Sequence, residues 1–169
     1  MGIQETKTEM LDDFMVRSIW GNPRFMFEWA PSRGNSGGIW IIWNPDLFCK
    51  SRVVIHQYYV LLEASWVLTG RPITFITVYA PQDAAEKRQL WSSLLQLVES
   101  CPGDCVLMGD FNEVRDESER LGTHLQTTPT RFFNQFIEEA GLVDVPMGGR
   151  VLLGLTNGDR SLVNLIDSW

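Results

Sequence analysis

In the stretch VLMGDFNEV an apolar run breaks at Gly109, and Asp110 and Asn112 follow on either side of Phe111. A carboxylate can position or deprotonate water, and an amide can fix the geometry of a phosphate or of the attacking water. Gly109 lets the chain turn and Phe111 can point back into the core, so Asp110 and Asn112 share one loop at a strand end, where α/β proteins collect reactive groups. The competing reading is an Asx-turn in which Asp110 only binds its own backbone. Two other strand ends bear on the choice. Glu5 follows the apolar MGI, and Tyr79 ends TFITVYAP. Mg²⁺ is held by one or two carboxylates with waters and substrate phosphate, which suits Glu5, and a tyrosine hydroxyl can donate to a phosphate oxygen. Taken singly, Glu5 reads more simply as a solvated charge at a helix entry and Tyr79 as a rim aromatic.

The elements around these residues follow from periodicity and turn chemistry. Residues 8–21 space Met10, Leu11, Phe14, Met15, Ile19 and Trp20 as an amphipathic helix with Asp12 and Asp13 opposite, stopped by Gly21. RFMFEWA, GGIWIIWN, SRVVIHQYYVLLEA and PITFITVYA read as strands separated by PSRGNSGG, NPDL and LTGRP. From Gln82 onward Leu90, Leu94, Leu95 and Val98 fall on one helical face. DCVLMGD is a short strand too uniformly apolar to be half exposed. TPTRFFNQFIEEAG is a helix with Thr128 as cap and Gly141 as stop, and LVDV returns to extended chain. The expected class is α/β (α+β), one domain over residues 1–169. Its sheets should be mixed and mainly antiparallel, because several strands run on without an intervening helix and no G-x-G-x-x-G opens one.

Composition narrows the function classes. With 44% hydrophobic and 21% charged residues, the 169-residue chain reads as globular. A net charge of −7 argues against holding nucleic acid by bulk electrostatics, so any such role is local, with a metal ion offsetting charge at one site. No apolar stretch is long enough to span a bilayer and the start lacks signal-peptide layout, which points to a nuclear or cytoplasmic protein with no membrane partner. MGIQET fits the loose N-myristoylation pattern, but the strand reading of this segment is preferred. Cys49, Cys101 and Cys105 have no metal-type spacing and only His56 and His124 could complete a zinc site, so reduced structural thiols are expected. The seven tryptophans lie in strands or on helix faces, where core packing outweighs base stacking.

In this order and at these separations, GIQETK, GNSGGI, VYAP before a helix, MGDFNEVRDESERLG and LTNGDRS…LIDSW resemble the endonuclease domain of LINE-type non-LTR retrotransposons. That domain belongs to the exonuclease-endonuclease-phosphatase superfamily, with pancreatic deoxyribonuclease and the abasic-site endonucleases as relatives. The resemblance implies a four-layer sandwich of two sheets flanked by helices. It also implies Mg²⁺-dependent (or Mn²⁺-dependent) nicking of double-stranded DNA to prime reverse transcription, with the reverse transcriptase in cis and the domain a monomer. By the same resemblance, Glu5 is the metal-binding glutamate and Tyr79 contacts the scissile phosphate. Asp110 handles the proton, Asn112 orients phosphate or water, and Asp167 orients a catalytic histidine. Thr156 and Asn157 lie in the loop that approaches DNA, although the family usually has an aromatic residue where Gly154 or Leu155 stands. Arg120, with Arg115, could follow the DNA backbone, against the plainer reading of a solvated loop of mixed charge. Ser36, Gly37 and Gly38 also match a family segment, and a tight turn into the next strand is their simpler role.

Against the family pattern, an asparagine-bearing first strand and a closing Ser-Asp-His segment are missing, and neither His56 nor His124 stands where the family's histidine belongs. The expectation is therefore a domain incomplete at both termini, with little or no activity by itself. Losing one preorganised electrostatic contributor costs about 10²–10³ in rate, and losing several removes more. The competing functions are a small-molecule phosphoesterase of the same superfamily and a catalytically dead remnant or interaction fragment.

Overall fold

Alternation of apolar residues builds a layered structure. The computed structural model describes residues 1–7, 12–33, 36–113, 128–147 and 150–155. The elements run β1 (Gly2–Gln4), α1 (Asp13–Trp20), β2 (Met26–Arg33), β3 (Ser36–Trp43), β4 (Phe48–His56), β5 (Tyr59–Trp66), β6 (Pro72–Tyr79), α2 (Ala84–Ser100), β7 (Asp104–Asp110), α3 (Thr128–Glu139), β8 (Val143–Met147) and β9 (Arg150–Leu155). They form a three-stranded sheet of order β1-β3-β2 and a six-stranded sheet of order β4-β5-β6-β7-β9-β8. Pairing is antiparallel throughout except between β6 and β7, so the sheets are mixed and mainly antiparallel, as expected.

Side chains two residues apart share a strand face, and β3 uses both of its faces. Ile39, Ile41 and Trp43 meet Val60, Leu62, Phe75 and Val106 of the second sheet, while Trp40 and Ile42 turn outward to Val16 of α1. On the far side of the second sheet Leu61, Ile76, Val78, Cys105 and Leu107 pack against Leu90, Trp91 and Leu94 of α2 and Phe133, Phe136 and Ile137 of α3. The result is four layers: α1, the small sheet, the large sheet, and the α2–α3 pair. β7 is apolar on both faces because both are covered, Val106 by the other sheet and Cys105 and Leu107 by helices.

Local chemistry sets the ends. Asp12 caps α1 by accepting from the Met15 amide at 2.8 Å, and Gly21 closes it in the left-handed region. The Asp83 carboxylate accepts from the Ala85 and Glu86 amides, both at 2.9 Å, and starts α2.

Three expectations are corrected. SRVVIHQYYVLLEA is not one strand: it doubles back at Gln57–Tyr58, pairing His56 with Tyr59. That turn contains no Gly, Pro, Asn or Asp, so turn chemistry could not reveal it. The first helix begins at Asp13 rather than Thr8, because Asp12 takes the cap, with residues 8–11 outside the described residues. Thr128 is the first residue of α3 rather than its cap. One strand, β9, was not foreseen. It pairs with β7, Cys105 standing opposite Leu155.

Candidate functional site

The parallel pairing of β6 and β7 sets Tyr79 beside Asp110 in register, so both strands end at the same sheet edge. Strand β1 of the other sheet ends there too and delivers Glu5. The Tyr79 hydroxyl donates to Glu5 Oε1 at 2.6 Å, a contact made across 74 residues of sequence and between the two sheets. The Glu5 carboxylate accepting that bond, burial, and the negative charges of Glu5 and then Asp110 push the Tyr79 phenol up to about 12. Tyr79 is therefore a neutral donor flanked by two exposed carboxylates.

The turn after β7 is tightly specified. Gly109 has φ 132, and a Cβ there would run into the Val78 carbonyl oxygen of the neighbouring strand, so glycine is required. Phe111 turns inward, 4% exposed, against Trp91 and Phe133. Asp110 Oδ1 accepts from the Asn112 amide at 2.8 Å, so the Asx-turn weighed from the sequence is present. It occupies one oxygen of an exposed carboxylate and leaves Asp110 at the edge. Asn112 adopts φ 48 and donates through Nδ2 to the Ala80 carbonyl at 2.6 Å, while its Oδ1 accepts from Gln82 Nε2 at 2.8 Å. The Ala80 amide in turn donates to the Asp110 carbonyl at 2.8 Å. The ends of β6 and β7 are thus stitched together immediately beyond Tyr79 and Asp110.

The chain after β1 is also shaped by the glycine segment read above as a turn. Lys7 N donates to Gly37 O at 3.2 Å and Thr6 N to Gly38 O at 3.4 Å. Gly38 has φ 87, and a Cβ on it would meet the Thr6 hydroxyl. This segment therefore backs the strand end that carries Glu5, itself at φ 54. Sequence reasoning missed that role, and it missed Lys87 and Glu113, whose side chains lie buried beneath the turn and ion-pair at 3.1 Å. A signal for Lys87 existed: it occupies the same stripe of α2 as Leu90, Trp91, Leu94 and Val98.

Arg120, Thr156, Asn157 and Asp167 lie outside the described residues, as do Arg115 and His124. His56, at the tip of the β4–β5 hairpin, stacks on Tyr59 with ring centroids 4.6 Å apart. Cys49 is exposed, Cys101 half-buried and Cys105 buried, all as free thiols. Among the described residues no three or more His, Cys, Asp or Glu side chains cluster as metal ligands. A donor set of one or two exposed carboxylates fits a hard ion that keeps most of its waters, Mg²⁺ or Mn²⁺, and does not fit zinc.

A profile of the endonuclease/exonuclease/phosphatase family matches residues 1–137, a span that contains Glu5, Tyr79, Asp110 and Asn112. The chain belongs to that family. Solved structures give the same fold at low identity. An abasic (AP) endonuclease, LMAP from Leishmania major, superposes with TM-score 0.65 and 12% identity over 90% of this chain and 68% of its own. The human Nocturnin catalytic domain, with bound sulfate anion, gives TM-score 0.57 and 11% identity over 90% and 67%. Zebrafish (D. rerio) TDP2 complexed with a single-strand DNA product gives 0.51 and 13% over 92% and 70%. No curated protein matches the chain.

Proposed function

We propose that this chain is the endonuclease domain of a LINE-type non-LTR retrotransposon, a phosphodiester hydrolase that nicks double-stranded DNA for primed reverse transcription. The observation that carries the hydrolase reading is the Tyr79–Glu5 hydrogen bond beside Asp110, which assembles a donor and two carboxylates from both sheets at one edge. Family membership supports phosphoester chemistry, and the single-strand DNA product bound to zebrafish TDP2 supports a nucleic-acid substrate. The retrotransposon assignment rests on the motif series from GIQETK to LIDSW.

Each residue then has a task. Glu5 holds Mg²⁺ or Mn²⁺, which when bound supplies Lewis acidity to a phosphoryl oxygen. Tyr79, protonated at any physiological pH, is the neutral donor for an oxygen of the scissile phosphate. Asp110 positions or deprotonates the attacking water. Asn112 has a second side-chain N–H besides the one it gives to Ala80, which orients that water or a phosphate oxygen while the residue holds the loop. Thr156, Asn157 and Arg120 contact the DNA, and Asp167 stands in the place of the family's orienting aspartate, with neither His56 nor His124 in the place of its partner. With a net charge of −7 the grip on DNA is confined to this edge, in a monomer acting in the nucleus beside its reverse transcriptase.

Supercoiled plasmid incubated with the purified chain in Mg²⁺, beside Asp110→Ala and EDTA controls, tests the reading. The nuclease reading predicts nicking abolished in both controls and, with the family's asparagine and histidine unmatched, weak at most. A cooperatively melting chain that leaves the plasmid supercoiled overturns the reading for this chain and favours a catalytically dead remnant.

A further inference from the structure

We infer that Lys87 and Glu113 are positioning residues: a buried brace that holds the 110–113 turn in its left-handed shape and thereby aims Asp110 and Asn112. The inference rests on the function proposed above only for its kinetic readout.

Lys87 is 6% exposed on the apolar stripe of α2. Burying an ammonium is costly unless it is paired, and a buried pair generally stabilises no better than apolar side chains of the same volume. The helix gains nothing in packing from a lysine there, so its presence is explained by what it holds. Its Nζ donates to two acceptors in the turn, the Asn112 carbonyl oxygen and Glu113 Oε2 at 3.1 Å. The Glu113 side chain is fully buried, and its Oε1 accepts from Thr130 Oγ1 of α3 at 3.4 Å. The brace therefore ties α2 and α3 to the one residue of the turn whose φ, 48, non-glycine residues seldom adopt. With its carbonyl pinned from below, Asn112 directs Nδ2 to Ala80 and its amide N–H to Asp110 Oδ1. The backbone angle and the two site side chains are thus set by a lysine that faces away from solvent.

Two variants test this, Lys87→Met and Lys87→Met combined with Glu113→Leu, the second keeping a folded protein should the first, which takes the Lys87 ammonium from buried Glu113, unfold. The backbone carbon chemical shifts of Asn112 report its φ, and exchange of its side-chain amide protons reports the Ala80 bond. Both should depart from wild type in the double variant, even where thermal stability is recovered. For phosphodiester hydrolysis in Mg²⁺, kcat should fall about 10²-fold with KM little changed, the size expected for a misplacement of about 1 Å. Unchanged Asn112 shifts in the double variant, or a kcat that returns to wild type along with the melting temperature, would overturn the inference. A wild-type chain that hydrolyses nothing sinks the proposed function instead, and the Asn112 shifts still decide the brace.

Discussion

Tyr79 shows how one side chain can be both a structural link and a poised donor. Its phenol, ordinarily near 10, is held up to about 12 chiefly by the hydrogen bond to Glu5. A group with a raised folded-state value adds stability that is fully present below its ordinary range and is lost as pH rises through the higher one. The two sheets should therefore lose one link only at pH 10 to 12 and above. Phenolate absorbance, with Tyr79→Phe as the blank, should show ionisation centred near pH 12, and Glu5→Gln should move it back towards 10. A Tyr79 that titrates near 10 with Glu5 intact would contradict the bond. The placement of Glu5, Tyr79, Asp110 and Asn112 at strand ends was legible because each stands at or just past the stop of an apolar run. Glu113 was not, since a charged residue in a loop reads as solvent-facing until packing shows otherwise, and the signal for Lys87 was confined to its place on the apolar stripe of α2.

Among the elements, the connection between α2 and β7 has chemistry of its own. Cys101 and Cys105 are 3.5 Å apart at sulfur, and the Cys101 thiol also lies 3.2 Å from the Leu97 carbonyl. When Cys101 ionises, Cys105 keeps its proton and donates it, which lowers Cys101 from 9 to about 7 against the opposing pull of burial, and raises Cys105. In a Cys49→Ser background the rate of alkylation should rise with a midpoint near pH 7, and Cys105→Ala should return that midpoint towards 9. A midpoint that stays near 7 without Cys105 would show the shift to have another source. Sequence spacing excluded a zinc site but could not reveal a pair four residues apart meeting across a loop. The elements themselves were legible wherever period and punctuation agreed, as at DCVLMGD, which is β7 to the residue. They were illegible where a turn used ordinary residues, as at Gln57–Tyr58.

For the whole molecule, stability rests on the layer between the sheets. Leu62 is fully buried there beside Phe48 and Phe75, whose rings meet edge to face at 5.1 Å. Leu62→Ala should cost about 2–5 kcal/mol in urea unfolding, and a smaller loss would mean that the sheets close over the void. The class was foreseeable from consecutive strands followed by helix–strand alternation and the four layers from the family resemblance, and the tryptophans agree: Trp40, Trp43 and Trp91 are buried in three different apolar clusters. The order of strands within each sheet was not foreseeable, because β1 finds β3 and β7 finds β9 through long-range pairing. The bond from Tyr79 to Glu5 joins residues 74 apart, so one is synthesised well before the other. A nascent chain carries Glu5 long before its partner emerges, and Asp110 arrives later still. The acidic edge cannot form on half a domain, so cleavage chemistry, if this edge performs it, is withheld from incomplete chains, and its onset during synthesis would time the moment at which the two sheets close.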